Sequence, residues 1–223
     1  MSVKVKFLLV ICLIVVDFHL IWATDPDPIQ DFCIPDIKPT SRKPIQISNL
    51  PCKNPLETTA DDFIFSGIKS AGNFSKTGFF AKSVTPILFP GLNTLGMSFV
   101  RADLDVGGIN APHFHPRATE VAYILEGMVY SGFVDSSNRL YARVIVKGEV
   151  MVFPKGLLHF QMNIGDSPAT IIGSFNSQNP GLQRIPEAVF GSGIRYELLE
   201  KAFGLSAKEV GLLRKRFISK GKT

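Results

Sequence analysis

The chain is poor in the two residue types that most often build metal and redox sites: three cysteines and four histidines in 223 residues. No two cysteines lie within a Cys-X-X-Cys spacing, so a zinc-thiolate cluster or a closely spaced redox dithiol has nothing to be made from. Long apolar runs are also missing. The longest, residues 7–16, is interrupted by Asp17 and His19 well short of the roughly 18 residues that a membrane-spanning helix needs. Excess charge of one sign is slight: 24 basic residues against 19 acidic ones give +5, scattered along the chain except at the end. That pattern excludes an extended nucleic-acid surface.

The few histidines are concentrated. His113, His115 and Glu120 lie within eight residues in GGINAPHFHPRATEVAYILEG (107–127), and His159 follows in GEVMVFPKGLLHFQMN. In a strand, residues two apart share a face, so His113 and His115 point into one interior. Pro112 and Pro116 flank them and should break a regular central strand. The break lets Glu120 rejoin the histidines at the start of a strand rich in Val, Tyr, Ile and Leu, while His159 arrives from a later strand. Three neutral imidazoles and one carboxylate suit a divalent first-row metal, leaving a net charge of about +1. Zinc with four protein ligands is usually closed and structural, whereas octahedral manganese or iron keeps two positions for water, substrate or dioxygen. The ligand set alone does not choose between them.

Two spacings now point to a family. Gly107, His113, His115, Glu120 and Gly127 match every fixed position of the first cupin motif, and Gly148, Pro154, Gly156, His159 and Asn163 match the second. PHFHPRATE, FPKGLLHFQMN and SFNSQNPG further resemble the plant germin-like proteins, over about residues 25–217. The resemblance implies an all-β fold: a cupin double-stranded β-helix, or jelly-roll barrel, with an N-terminal extension and a C-terminal α-helical segment. It implies manganese as the cofactor, with iron and zinc as alternatives, and a homo-oligomer built as a trimer of dimers.

The remaining text agrees with export. Residues 1–23 read as a signal peptide: Lys4 and Lys6, an apolar core, then Ala23 before the presumed cut. Its loss removes two lysines and one aspartate, leaving 22 basic and 18 acidic residues, or +4. Cys12 goes with it, leaving Cys33 and Cys52 as an even pair in an oxidising compartment. A disulfide that pins the extension is what the germin resemblance implies there. The extension, 24–78, carries Pro35, Pro39, Pro44 and Pro51 and should be loop-rich. It also holds the N-glycosylation acceptor Asn73-Phe74-Ser75.

Residues 79–182 alternate short apolar runs with turn residues, the pattern of an antiparallel sandwich or barrel, with DSSN (135–138) as the hairpin turn between the motifs. Several runs are apolar on both faces, for example Val121, Tyr123 and Leu125 against Ala122 and Ile124, so an outer face should meet another subunit. Residues 183–223 turn helical. RIPEAVFG, IRYELLEKAFG and AKEVGLLRKRF are three helices, the last opened by a Ser206–Glu209 capping box. The basic tail RKRFISKGKT is either a solvated end or a contact for acidic wall polysaccharide.

Three functions remain for a secreted protein of the apoplast or cell wall. Superoxide dismutation needs a metal with two oxidation states and an open position. Oxalate oxidation needs a bidentate dicarboxylate beside dioxygen. The germin-like comparison places two asparagines over an oxalate site; Asn110 matches one as a neighbour of the metal, but Val100 stands at the other. An apolar side chain cannot donate to a bound carboxylate, at a cost of about 1 to 3 kcal/mol, so dismutation is expected first and oxalate oxidation second. The third function is a non-catalytic wall or binding protein in which the metal serves structure. Asn163 shares the strand parity of His159 and is either a neighbour of the metal or a polar group satisfied by backbone.

Overall fold

The computed structural model describes residues 30–36, 50–74 and 78–218. The signal segment 1–23, Pro39, Pro44, Ser75 and the last five residues of the basic tail lie outside the described residues. Contacts divide the chain into two compact units, residues 1–31 and residues 32–223, and both sheets and every helix among the described residues belong to the second.

Among the described residues, ten strands form two five-stranded antiparallel sheets. The first sheet, in spatial order, is β1 (Phe79–Val84), β2 (Ser98–Leu104), β9 (Ala169–Phe175), β4 (Glu120–Glu126) and β7 (Val150–Phe153). The second is β10 (Gln183–Arg184), β3 (Ile109–Phe114), β8 (Leu158–Asn163), β5 (Met128–Val134) and β6 (Leu140–Val146). Neighbours in each sheet are mostly distant in sequence, which is the jelly-roll connection expected from the two motifs.

Alternation along the strands fills the interior. On β4, Glu120, Ala122 and Ile124 are buried while Val121, Tyr123 and Leu125 are exposed. Leu104, Ala122, Ile124, Val129, Ile145, Phe153, Ala169 and Ile171, drawn from both sheets, pack into one apolar core. The turns follow their residues. Asn138 takes a positive φ of 62° in the β5–β6 hairpin, and Asp135 accepts from the backbone of Ser137 and Arg139. Asn163 is buried and bonded to backbone throughout: its amide donates to Leu104, Asp105 and Ser167 carbonyls and its oxygen accepts from Gly165. Of its two readings, the structural one holds.

Apolar residues nonetheless remain outside. Val121 pairs with Val152 and Tyr123 with Val150 across β4 and β7, and all four are more than a third exposed. Leu140, Tyr141, Val144 and Val146 on β6 do the same for the second sheet.

The C-terminal part is helical as expected: α1 (Ile185–Phe190), α2 (Tyr196–Phe203) and α3 (Ala207–Phe217). The Ser206–Glu209 capping box opens α3, and Gly204 closes α2 in the left-handed conformation at φ 65°. One difference from the sequence reading stands out. The sheet continues into residues 183–184, where β10 pairs with β3 before the first helix begins. The start of the basic tail lies inside α3, as the reading of AKEVGLLRKRF has it: Arg214, Lys215 and Arg216 occupy its last turn, where cations compensate the helix dipole.

Cys33 and Cys52 are disulfide-bonded. Their segments also form an isolated Pro35–Cys52 bridge, and Asn93 donates to the Cys33 carbonyl at 2.8 Å. The bond closes a loop across 19 positions, worth about 3 kcal/mol in the chain-entropy account. The Cys33→Ser/Cys52→Ser protein should therefore lose about that much unfolding free energy in urea titrations. An unchanged midpoint would show that the surrounding contacts hold the extension without the bond.

Candidate metal centre

The break at Pro112 takes a definite form. Asn110 pairs with Gln161 and His113 with His159, so three steps on β3 match two on β8 and one extra residue bulges out. The bulge accommodates a proline that cannot donate to the ladder. It also shifts the alternation by one, turning Asn110 and His113, three residues apart, to the same inner face.

His113 and His159 therefore stand opposite each other, ring centroids 4.2 Å apart, with His115 at 5.4 and 5.3 Å from them. Glu120 comes from the facing sheet, where its cross-strand neighbours are Phe153 and Phe175. Those rings cover the histidines: Phe153 stacks on His159 at 4.4 Å and Phe175 packs edge-on to His115 at 4.6 Å. All four expected ligand residues are buried, and one ligand atom from each falls within 4.8 Å of the others.

Each imidazole is oriented by main chain. Nδ1 of His113 donates to the Ala111 carbonyl at 2.8 Å, that of His159 to Leu157 at 2.9 Å, and that of His115 to Gly181 at 2.5 Å. A carbonyl only accepts, so the proton of a neutral ring sits on Nδ1 and the Nε2 lone pair turns inward. Nε2 of both His115 and His159 then faces Oε2 of Glu120 at 3.2 Å, lone pair against lone pair. Only a shared proton or a cation between them reconciles that arrangement. Asn110 adds a second orphan: its amide donates to Gln161 at 2.7 Å, while its own oxygen is buried with no partner among the described residues. A water or ligand donor on a bound cation would satisfy it. The donor set thus fits a divalent metal.

The electrostatics agree. Burial, then the neighbouring His159, pushes the His113 pKa from 6.5 down to about 3. Burial also works against the Glu120 carboxylate, but without a cation a proton shared with the Nε2 atoms of His115 and His159 outweighs it and holds its pKa at about 2.

A cavity of about 210 Å³ opens beside the four residues, and its wall includes Val100, Asn110, Gln161 and Arg184. Val100 lies opposite Gly173 on β9, and a Cβ built at Gly173 would come 2.5 Å from Glu120 Oε1 and 2.6 Å from Val100 Cγ1. That glycine is a space the carboxylate fills. The segment 176–182, from SFNSQNPG, straps the rim: Arg117 grips Asn179 through its carbonyl (2.8 Å) and side-chain oxygen (2.7 Å), and Gly181 supplies the carbonyl for His115. Gln161, Phe153, Phe175 and Gly173 escaped the sequence reading. For Gln161 a signal was present, since it lies two residues beyond His159 on the same face.

The cupin family profile matches residues 66–211. Germin-like protein subfamily 3 member 2 of Arabidopsis thaliana is 60% identical over 219 residues, covering 97% of this chain and 96% of that protein. The chain belongs to the germin-like cupin family. A rice relative, germin-like protein 2-4 of Oryza sativa subsp. japonica, is 59% identical over 198 residues, 86% of each chain. Among solved structures, an oxalate oxidase superposes with a TM-score of 0.80 at 40% identity, covering 89% of this chain and all of the other. Another oxalate oxidase, in complex with the substrate analogue glycolate, matches equally well.

Two predictions arise from this geometry. Gly173→Ala should displace the Glu120 carboxylate and weaken divalent-metal binding about tenfold or more, read by titration against a chelator, while far-UV circular dichroism stays unchanged. Acid should destabilise the metal-free protein. The unfolded chain takes up a proton near 6.5 at His113 and near 4.5 at Glu120, whereas the folded sites do so only near 3 and 2. Their contributions are complete above 6.5 and 4.5 and fall away toward 3 and 2. Urea unfolding should show stability dropping below pH 6.5 by up to about 1.4 kcal/mol per pH unit for His113, and His113→Gln should flatten that upper limb.

Proposed function

We propose that this is a secreted, manganese-binding germin-like protein with superoxide dismutase-type activity, and that His113, His115, Glu120 and His159 are the metal ligands. The observation that carries the reading is the preset orientation of three buried Nε2 lone pairs around one carboxylate. A manganese ion held by these four residues would supply a one-electron couple and a Lewis acid. The chain supplies the rest. Glu120 lowers the charge of the centre, Phe153 and Phe175 keep bulk water off the rings, and the unpartnered Asn110 oxygen can accept a hydrogen bond from whatever binds beside the ligands.

Oxalate oxidation is the second reading, supported by the likeness to oxalate oxidases. Against it, Val100 lines the cavity and leaves that wall without the donor expected for oxalate. The signal peptide at 1–23, a glycan on the exposed Asn73 and export to the apoplast belong to the same proposal. So does assembly through the apolar outer faces, with a trimer of dimers as the expected form. An acidic polysaccharide contact at the C-terminal end also fits export to a cell wall.

Metal analysis of the secreted protein, with superoxide and oxalate assays on the same sample, tests the function. Manganese near one per chain with dismutase activity, both lost in His159→Ala, is expected. Full metal content and geometry in His159→Ala would overturn the ligand assignment, and metal without either turnover would favour a structural role.

A further inference from the structure

The inner face of the second sheet carries a row of cross-strand partners in which Arg184 on β10 stands opposite His113 on β3, which stands opposite His159 on β8. Directly paired residues of antiparallel strands share a face, with Cβ atoms about 5 Å apart. Arg184 therefore faces the same interior as the two histidines. It lines the cavity, with its guanidinium 5.8 Å from the Phe79 ring centroid, and makes no hydrogen bond or ion pair among the described residues. Among the lining residues Glu120 is the one acid and Arg184 the one permanent cation.

Charge then identifies the ligand. With a divalent metal, the single carboxylate and Arg184, the cavity carries a net charge of about +2 in a wall that is otherwise largely apolar. A dianion neutralises it. Asn110 and Gln161 can adapt by a half-turn of each terminal amide: it reverses their mutual hydrogen bond and aims an N–H donor of Asn110, in place of its oxygen, into the cavity. Only a guanidinium offers a planar, permanently charged fork for a carboxylate, and it comes from the sheet facing the one that carries Val100.

We infer that Arg184 is an anion-recognition residue of this cavity, and that it selects small dicarboxylates over monocarboxylates by pairing with the second carboxylate. The inference rests on the metal reading above, and it concerns binding, so it holds whichever turnover the centre performs.

The test uses the full secreted protein loaded with manganese. Oxalate, malonate and acetate are titrated calorimetrically at low and at physiological salt, and metal content is measured on every sample. The parent should bind the two dicarboxylates about tenfold or more tighter than acetate, with the advantage shrinking as salt rises. Arg184→Gln should remove that advantage while leaving metal content and acetate affinity unchanged, and Arg184→Lys should restore part of it. Arg139→Gln, at the exposed β5–β6 turn, should behave as the parent. An unchanged dicarboxylate preference in Arg184→Gln, or an equal loss in Arg139→Gln, would overturn the role of Arg184 alone. A parent protein that holds no metal would overturn the metal reading and this inference together.

Discussion

Two imidazole lone pairs turned onto one carboxylate, with a third imidazole beside them and all three ring protons held on the far side by main-chain carbonyls, form the constraint around which this barrel is arranged. Such a cluster is costly in an apolar interior unless a cation or protons occupy its centre. Everything nearby serves to hold it. The bulge at Pro112 sets the parity of β3, Gly173 vacates the volume that Glu120 fills, and the Asn176–Leu182 segment brings the Gly181 carbonyl to His115. Phe153 and Phe175 close the flanks.

The cluster of four residues was legible because its chemistry is local: His113, His115 and Glu120 keep a fixed spacing, and His159 is the one remaining histidine outside residues 1–23. The strands and the three helices were legible from period and punctuation. What the sequence hid depends on register. Arg184 shares a face with His113 only because β10 returns to the sheet edge, inside a stretch that reads as the lead-in to a helix. Asn110 faces inward only because an extra residue follows it. The need for glycine at position 173 is set by a carboxylate fifty-three positions earlier in the chain.

The two sheets divide their tasks. Inward, each contributes half of the site: Glu120 with its phenylalanines from one, the three histidines with Asn110, Gln161 and Arg184 from the other or its immediate end. Outward, both present apolar strands, a surface that is expensive in water. The disulfide segment is tied to this frame at its base. The Cys33 carbonyl accepts from Asn93, and the next residue, Thr94, donates its backbone N–H to the side-chain oxygen of Gln178, in the strap that includes Gly181.

The use of backbone carbonyls to orient all three imidazoles also bears on how such a protein changes over generations. Ala111 and Leu157 act through atoms that every residue possesses, so replacing their side chains leaves the acceptor in place, whereas Gly181 is held by its positive φ of 70° and by the close approach of Pro116. The walls of the cavity, by contrast, speak through side chains alone: Val100, Arg184 and the Asn110–Gln161 pair. Ancestry can therefore rewrite what the pocket admits, one substitution at a time, without disturbing the ligand geometry, and a single scaffold becomes a repertoire.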